Sequence, residues 1–190
     1  MVSKKCSFLY GLLGEQVFNK DINIYDDPLY DDGVFFGNFD DEGRTLSRLP
    51  IIDNGVLSSY LLDTYNANKL NSKSNRGFNK SGIISAGYTN LFVESDKVKN
   101  FKDICSKCSN VILVTDFIGM GVNLSNGNYS RGISGNIVTD GKISDAVSEV
   151  TLSGNLLDMY KNMVLLDDAD YENGISIPSV YVGELMISGK

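Results

Sequence analysis

The sequence predicts an α+β fold built mainly on an antiparallel β-sheet, with a few short helices. Two tight-turn signals, and the helical stripes between the predicted strands, are the basis of this prediction. Asn54-Gly55 and Asp140-Gly141 each stand between two runs of apolar and β-branched residues. Asn-Gly and Asp-Gly readily take the positive φ angles that a two-residue hairpin turn requires. No stretch repeats at the spacing of about 20 to 50 residues that marks solenoids and propellers.

Strands are predicted wherever apolar or β-branched residues form short runs bounded by turn residues. The predicted strands are 23–25, 49–52, 56–62, 83–94, 111–117, 129–140, 142–152, 163–167 and 177–188. The run at 111–117 is too short for a buried helix, so we expect a buried strand there. The acidic segment 26–43 is predicted to be a loop, and the Asn- and Ser-rich segment 71–82 a mobile loop.

Helices are predicted from apolar residues that recur at helical spacing. Residues 3–18 and 97–108 are predicted to be amphipathic helices. A third helical stripe comprises Leu152, Leu156, Tyr160 and Met163. Asp63 is predicted to cap a short helix that runs to Leu70, because its carboxylate accepts the unpaired N–H groups of the first turn.

The bulk composition is that of a folded protein of one domain. The chain has 190 residues, of which 42% are hydrophobic and 22% charged, proportions that are ordinary for a globular domain. Its 17 basic and 24 acidic residues give a net charge of −7. No Lys/Arg cluster is available to neutralise nucleic-acid phosphates, so direct nucleic-acid binding is not expected.

The hydrophobic runs are too short for a membrane span. Such a span needs roughly 20 apolar residues, whereas the runs here are of the length of Val111–Val114. Near the N-terminus Gly11 interrupts the apolar run, and Glu15 stands where a signal peptide would have small residues. Three cysteines in a chain of this length favour a reducing compartment. We therefore expect a cytoplasmic protein with no membrane partner.

The chain contains no histidine, which removes several kinds of active site. Ser-His-Asp and Cys-His nucleophiles, the HExxH zinc helix and imidazole acid–base catalysis all need that side chain. Ser-x-x-Lys is absent as well. A hydrolase that uses only carboxylates would need two of them facing each other across a cleft. The carboxylates considered for this alternative are Asp40, Asp41, Glu42 and Glu149.

No metal ligand set is predicted within the chain. Cys105 and Cys108 have the spacing of zinc ligands, but a structural site needs four donors and only Cys6 remains among the thiols. The two thiols are expected instead to pack on the apolar face of the helix predicted at 97–108. The acidic segment lacks the ligand spacing of an EF-hand loop. We expect no metal and no cofactor in this chain.

Arg131 lies between glycines just ahead of the second hairpin, and two interpretations are open for it. In one, it closes a turn by binding carbonyls or a nearby carboxylate, as isolated arginines commonly do. In the other, its five-donor guanidinium anchors the backbone or a carboxylate of a bound chain. The residues predicted to be turn glycines are Gly55, Gly132, Gly135 and Gly141.

Six segments resemble one known family and occur here in the same order. They are FDDEG (39–43), IIDNGVLSSYLLDTYNANKL (51–70), VILVTDFIGMGVN (111–123), GNYSRGISGNIVTDGKI (127–143), VSEVTLSGNLLDMYKNM (147–163) and SVYVGELMISG (179–189). Together they resemble the C-terminal domain of the TldD/PmbA family, once called modulators of DNA gyrase. The likeness runs from about residue 7 to the end, and it implies a curved, mainly antiparallel sheet.

The resemblance also implies which branch of the family the chain is similar to. The TldD branch carries an HExxxH zinc motif, and the PmbA branch, also called TldE, lacks it. YSRGISG at 129–135 and GNLLDMYKNM at 154–163 resemble the PmbA branch. In the catalytic branch a cysteine near the C-terminus completes the zinc site, whereas the matching stretch here is GISIPSV at 174–180. This implies a chain without catalytic residues, with zinc only in a TldD-type partner.

The two branches are thought to pair as a cytoplasmic peptidase. The resemblance therefore implies a TldD-type catalytic subunit as partner, or self-association as a dimer, and a peptide as substrate. An extended peptide would pair with an exposed strand while polar groups fix its register. The candidate contacts to substrate or partner are Asp40, Asp41, Glu42, Tyr129 and Arg131. A structural or interaction domain unrelated to proteolysis is the remaining alternative.

The expected domain organisation follows from the length of the family members, which exceeds that of this chain. We expect the chain to be part of a longer protein. The helix predicted within residues 1–20 is expected to be the end of a preceding domain, and residues 21–190 are expected to form the C-terminal domain. The apolar stripe of that helix would then be partly exposed here.

Overall fold

The computed structural model describes residues 2–106, 108 and 110–189. Strands dominate this part of the chain. The α-helices are α1 (Thr64–Lys69), α2 (Phe101–Cys105) and α3 (Leu156–Lys161). The strands are β1 (Ile22–Asp26), β2 (Leu49–Asp53), β3 (Val56–Leu57), β4 (Gly77–Lys80), β5 (Ile83–Ala86), β6 (Leu91–Ser95), β7 (Asn110–Ile118), β8 (Asn128–Thr139), β9 (Lys142–Asn155), β10 (Val164–Leu165), β11 (Tyr171–Glu172), β12 (Ile175–Ser176), β13 (Val180–Tyr181) and β14 (Met186–Ser188). None of the helices in the described ranges has the length and apolar character needed to cross a membrane.

The strands form two main sheets. The first has six strands in the order β11-β12-β6-β1-β2-β3, and the second has four in the order β14-β9-β8-β7. Two smaller pairs are β4 with β5 and β10 with β13. Every pairing is antiparallel except that of β12 with β6. The predicted α+β fold with a mainly antiparallel sheet and a few short helices is confirmed.

Both predicted hairpin turns are present. Asn54 and Gly55 connect β2 to β3 with φ angles of 48° and 79°, and Asp140 and Gly141 connect β8 to β9 with 50° and 75°. Positive φ at both central residues is the geometry that matches the twist of an antiparallel pair. Gly55 is further constrained, because a Cβ there would lie 2.6 Å from the carbonyl oxygen of Phe18.

Two hydrophobic clusters hold the sheets together. The larger consists of Val17, Phe18, Ile22, Ile52, Leu57, Val93 and Leu165. The smaller consists of Tyr129, Leu156 and Met159 and joins α3 to the four-stranded sheet. Tyr160 packs against both clusters, and its ring stacks on that of Phe18 with 4.2 Å between the ring centroids. The two sheets therefore share a continuous interior around α3.

The N-terminal segment is not the helix that its periodicity predicts. Only Val2–Lys4 form a 3-10 turn, and the chain then turns at Gly11 and Gly14, whose φ angles are 80° and 86°. The Gly14 N–H donates to the carbonyl of Leu57 at 2.8 Å, so its backbone bonds to β3 instead of to a helical neighbour. The helix prediction for 3–18 is wrong for this reason, and the assignment of the segment to a preceding domain stays a prediction.

Two of the other three predicted helical segments contain helices shorter than expected. Helix α2 begins only after Asn100, whose side chain accepts from the N–H of Asp103, and it ends at Cys105. Lys99 bridges to Leu166 instead of joining the helix. Residue 107, which belongs to the predicted helix, and residue 109, which follows it, lie outside the described residues. In the third segment Asn155 caps α3, so Leu152 belongs to β9.

Several loop and strand boundaries also differ from the prediction. The segment predicted to be a mobile loop at 71–82 contains β4, which pairs with β5 in a hairpin. The single strand predicted at 83–94 is two strands, β5 and β6, in different sheets. The strand predicted to be buried at 111–117 is β7, which lies at a sheet edge and is half-exposed to exposed along its length. A run of β-branched residues does not tell an edge strand from a central one.

Candidate functional site

The carboxylate of Asp40 is buried and organises the loop around it. It is 6% exposed and accepts hydrogen bonds from three backbone N–H groups, those of Glu42 at 3.0 Å, Arg44 at 2.8 Å and Gly77 at 2.9 Å. The last of these bonds ties the acidic loop to the start of β4. Hydrogen bonds to backbone donors stabilise a buried carboxylate and fix its position. Asp40 therefore holds the loop, and its oxygens are not turned towards solvent.

The two carboxylates that follow serve the same local framework. Glu42 accepts from the N–H of Thr64 at 2.9 Å, at the first turn of α1, and from the hydroxyl of Ser74 at 2.9 Å. Asp41 accepts from the N–H of Asn79 in β4 at 2.7 Å. The structure thus brings the acidic loop, α1 and β4 together through carboxylates. Glu149 is elsewhere, in β9 of the four-stranded sheet, so these groups do not form the facing pair of a carboxylate hydrolase.

A buried ion pair lies beside this framework, and sequence reasoning missed it. Asp26 and Arg76 are 0% and 2% exposed, and the Nε atom of Arg76 donates to Oδ2 of Asp26. Asp26 also accepts from the N–H and the hydroxyl of Thr89 at 2.6 and 2.9 Å, and Arg76 donates to the Ser47 carbonyl at 2.6 Å. Because all these partners are distant in sequence, no local pattern could have indicated the pair.

Tyr129 occupies a core position in β8. It is buried against Leu156 and Met159, with Leu152 and Leu185 packed around it. Its role in the described part of the chain is to join β8 to α3. The candidate contact between Tyr129 and a substrate or partner stays a prediction, and the burial of this side chain does not favour it.

Arg131 closes the turn that follows β7. Its Nε atom donates to the carbonyl of Gly119 at 2.9 Å, and its guanidinium carbon lies 4.7 Å from the centroid of the Phe117 ring. The first of the two interpretations of this residue is therefore observed. The Nη atoms form no hydrogen bond within the described ranges, so the outer end of the fork is free to donate to a ligand. The second interpretation remains compatible with this geometry.

The strand beside Arg131 has a free edge. β7 pairs with β8 along one side and is the last strand of its sheet in the described part of the chain. It is nine residues long, and Asp116 is its only charged residue. Phe117 and Ile118 at its end are exposed. An edge of this length, with few charges and no proline, presents unpaired backbone groups to which another chain can add a strand.

The strands next to β8 both bulge at the same place. The register of β7 shifts between Val114 and Asp116, and that of β9 shifts opposite β8 between Ile133 and Gly135. Glu149 in the bulge of β9 has a φ angle of 58°. Bulges on both sides of one strand bend the sheet locally and increase its twist.

Gly132 and Gly135 belong to this bent region, and predicting them as turn glycines is wrong. Both lie inside β8. A Cβ on Gly135 would stand 2.1 Å from the carbonyl oxygen of Leu113, and one on Gly132 would stand 3.2 Å from the Cβ of Ile118. Their role is to allow β7 to approach β8 closely. Gly55 and Gly141, in contrast, lie in the two hairpin turns.

A shallow cavity of about 380 Å³ opens beside the end of β7. It is lined by Met120, Gly121, Val122, Asn123, Asn128 and Ser130. The backbone N–H of Ser130 donates to the carbonyl of Gly121 at 2.7 Å, which holds the loop after β7 against β8. The cavity therefore combines apolar side chains with amide and hydroxyl groups, next to the strand that carries Arg131.

The side chains of the described residues do not fit a zinc site. The described residues contain no group of three or more His, Cys, Asp or Glu side chains that could hold a metal ion. Cys105 is buried, and burial together with the nearby Cys108 raises the pKa of its thiol, which disfavours the thiolate that zinc requires. Cys108 instead lies 3.7 Å from the hydroxyl of Tyr181. No catalytic step of this domain is therefore assigned to a metal.

These features define an α+β domain with a free sheet edge, an adjacent arginine and no fitting set of metal ligands among the described residues. The family described as the PmbA/TldA metallopeptidase C-terminal domain matches residues 1–189. The chain belongs to this family, called PmbA/TldD, and corresponds to its C-terminal domain.

Individual relatives agree with this assignment. The chain is 37% identical over 191 residues to the metalloprotease PmbA homolog of Buchnera aphidicola subsp. Acyrthosiphon pisum, covering 99% of this chain and 41% of that protein. It is 33% identical to the metalloprotease PmbA of Escherichia coli O157:H7, covering 100% of this chain and 40% of that protein. The chain thus spans about two fifths of the length of these relatives.

A solved structure supports the fold over the whole chain. A crystal structure from Bacteroides thetaiotaomicron that carries the description modulator of DNA gyrase superposes with a TM-score of 0.86 and is 30% identical in sequence. The match covers 100% of this chain and 41% of that one. The fold implied by the resemblance of the six sequence segments is thereby confirmed.

Proposed function

We propose that this chain is the C-terminal domain of a PmbA (TldE)-like subunit that partners a zinc-dependent TldD-type peptidase in cytoplasmic proteolysis or peptide maturation. The supporting observation is that a member of a metallopeptidase family has no histidine in this domain. The imidazole ligands of a zinc peptidase must then be supplied from outside the chain. In this proposal the partner supplies them, and this domain contributes a surface that binds the peptide and the partner.

The surface proposed for the peptide is the free edge of β7. A peptide in extended conformation pairs its backbone with such an edge, and alternate side chains then contact the surface on either side. The edge ends at Phe117 and Ile118, next to the guanidinium of Arg131. The Nη atoms of that group are placed to donate to a carbonyl or carboxylate of the bound chain. Arg131 thus has a positioning role, with catalysis assigned to the partner.

The alternative of a carboxylate hydrolase receives no support from the geometry. Asp40, Asp41 and Glu42 each accept hydrogen bonds from backbone groups of this chain. A general acid must hold a proton near its reacting partner, and a nucleophile must be free to attack. Carboxylates that hold a loop together are poorly placed for either role. We therefore assign these three residues to the framework of the domain.

The proposal is tested with the full-length protein that contains this chain. It is co-expressed with a TldD-type subunit, and the pair is assayed for co-purification and for cleavage of an unstructured peptide that carries a fluorophore and a quencher. We expect a stable complex whose cleavage is lost on treatment with a zinc chelator. Absence of a complex together with unchanged proteolysis would contradict the proposal. So would chelator-resistant cleavage by the full-length protein alone.

The role of the β7 edge has its own readout in the same assay. Arg131→Ala and Phe117→Ala together should raise the KM of the complex for the peptide about tenfold, with kcat nearly unchanged, because they remove binding that does not change in the transition state. Ile143→Ala, an exposed apolar residue near the far end of β9, is the matched control and should leave KM unchanged. An equal KM in both variants would assign the peptide to another surface.

A further inference from the structure

The long loop between β1 and β2 exposes a group of large apolar side chains. Within eleven residues of that loop, Leu29, Val34, Phe36 and Phe39 are 44%, 66%, 63% and 62% exposed. Exposed apolar side chains that occur in a group commonly mark interaction sites on soluble proteins. These four residues, with the exposed Asp31 and Asp32 between them, are called the acidic apolar surface below.

The loop that carries this surface is held in place by a buried polar side chain. Asn90 is 0% exposed, and its amide nitrogen donates to the carbonyls of Asp27 at 2.7 Å and Phe35 at 2.8 Å. Its amide oxygen accepts from the hydroxyl of Tyr171 at 2.7 Å, and that hydroxyl accepts from the N–H of Val34 at 3.1 Å. A fully satisfied buried amide fixes the backbone around it.

The loop also has apolar side chains of its own that point inwards. Phe35 packs edge-on against Phe78 in β4, with 5.7 Å between the ring centroids. Tyr30 packs on Phe92 and on Tyr171, at 5.0 Å in each case. These contacts pack the loop against the rest of the domain through Tyr30 and Phe35, whereas the four exposed side chains face solvent. Their exposure is therefore a feature of a fixed loop conformation.

The charge around these side chains has one sign. Residues 26–43 contain seven carboxylates and no Lys or Arg. Asp31 and Asp32 form no ion pair or hydrogen bond with the described part of the chain. Two arginines follow this segment. Arg44 donates to the hydroxyl of Thr64 at 3.3 Å, and the guanidinium carbon of Arg48 lies 3.4 Å from the centroid of the Tyr25 ring. Among the described residues, therefore, no ion pair links this surface to a cation.

We propose that the acidic apolar surface binds a segment of a partner polypeptide in which apolar side chains are interspersed with Lys or Arg. Aromatic side chains such as Phe36 and Phe39 supply the anchors from which most binding energy comes in protein interfaces. The carboxylates of Asp31 and Asp32 attract the cationic groups and select against acidic segments. The site uses a loop remote in sequence from β7, so this inference does not rest on the proposed function.

The proposal is tested by fluorescence anisotropy on the full-length protein that contains this chain. The probes are three labelled peptides of equal length that alternate Leu with Lys, Ser with Lys, and Leu with Glu. We expect the Leu-Lys peptide to bind, the Ser-Lys peptide to bind about tenfold more weakly because it lacks the apolar contacts, and the Leu-Glu peptide not to bind. High salt should weaken the first two because it screens exposed charges.

Variants distinguish this surface from the general acidity of the protein. The double variant Phe36→Ser, Phe39→Ser should bind the Leu-Lys peptide about tenfold more weakly or worse. The double variant Asp31→Asn, Asp32→Asn should bind it more weakly mainly at low salt. The matched controls are Ile143→Ser and Asp145→Asn, an exposed apolar and an exposed acidic residue of β9, which should bind as the unmodified protein does. Circular dichroism of each variant checks that the fold is retained.

Three outcomes would overturn the proposal. The first is equal binding of the Leu-Lys and Ser-Lys peptides, because binding would then be electrostatic alone. The second is unchanged binding by the Phe36 and Phe39 variant. The third is conversion of a dimer to a monomer by that same variant, measured by light scattering after size-exclusion chromatography, because the occupant would then be a second copy of the protein.

Discussion

At the scale of single residues, Asp26 and Arg76 show how a charged pair is kept inside this domain. Both are fully buried, and each makes further hydrogen bonds, Asp26 to Thr89 and Arg76 to the carbonyl of Ser47. Burial of two charges costs desolvation energy that only good geometry and additional hydrogen bonds offset. The pair connects β1 to the start of β4, and thereby fixes one end of the acidic loop.

We predict that Arg76→Ala strongly destabilises the fold. It leaves the Asp26 carboxylate buried without a cation, which costs about 3 to 5 kcal/mol of unfolding free energy. Urea denaturation followed by circular dichroism measures this change. Lys97→Ala is the control, because it removes an ion pair to Asp21 whose lysine is exposed and should cost at most about 1 kcal/mol. Similar losses for both variants would contradict the assigned difference between the two pairs.

Residues whose role is local could be predicted from the sequence, and residues whose role is long-range could not. Asp63 was predicted to cap α1, and its carboxylate accepts from the N–H of Asn66 at 2.8 Å. Asp40 was predicted as a candidate contact to substrate or partner, which stays a prediction, and its observed role is to accept from the N–H of Gly77, 37 residues away in sequence. A cap depends on four successive residues, whereas a carboxylate that holds a loop depends on where another segment folds.

At the scale of elements, the turns were predictable and the ends of the helices were not. Asn54-Gly55 and Asp140-Gly141 determine their own φ angles, so both hairpins form where expected. The helical stripes at 97–108 and 152–163 were predicted too long, because a stripe does not reveal where backbone groups bond to another strand. Asn100 and Asn155 act as caps inside those two stripes, and their capping role is the signal that would have shortened both helices.

Gly135 gives a testable consequence of the bend in the four-stranded sheet. A Cβ there would lie 2.1 Å from the Leu113 carbonyl oxygen, so Gly135→Ala must push β7 away from β8. We expect a loss of about 1 to 3 kcal/mol in unfolding free energy, as for other overpacked sites. Chemical denaturation measures it, and hydrogen exchange in β7 should become faster.

Gly132→Ala in the same strand is the comparison for this prediction. Its Cβ would meet the Cβ of Ile118 at 3.2 Å, so β7 would have to move much less than for the contact of 2.1 Å at Gly135. Alanine also gains roughly 0.5 to 1 kcal/mol over glycine in a strand interior. The net effect should therefore be close to zero. If Gly132→Ala lowered the unfolding free energy as much as Gly135→Ala, the close contact between Gly135 and the Leu113 backbone would not be the cause of the loss.

At the scale of the whole molecule, the end of the N-terminal segment packs into the core of this domain. Val17 and Phe18 are buried in the same cluster as residues of β1, β2, β3 and β6. The assignment of residues 1–20 to a preceding domain was based on the length of the family members, and it stays a prediction. The family match that runs from residue 1 to residue 189 agrees with the packing of this segment against β3.

We therefore predict that Phe18→Ala destabilises the whole domain. Phe18 is 8% exposed and stacks on Tyr160, and loss of a buried phenylalanine side chain costs about 3 to 5 kcal/mol. Leu13→Ala in the same segment is the control, because Leu13 is 52% exposed and should change the unfolding free energy by less than about 0.5 kcal/mol. Thermal unfolding of both variants decides whether the segment is integral or an appendage.

In the described part of the chain β7 has one unpaired side, and this has a consequence for the polypeptides that could pair with it. Backbone donors and acceptors along a strand edge are spaced to pair with another extended chain. A helix cannot pair in this way, because its backbone groups already bond to one another. Selection at such an edge acts on conformation before it acts on side chains. A protein whose pairing segment is folded would have to unfold locally before that segment could bind. The free energy of this local unfolding would then set how readily the segment pairs with β7.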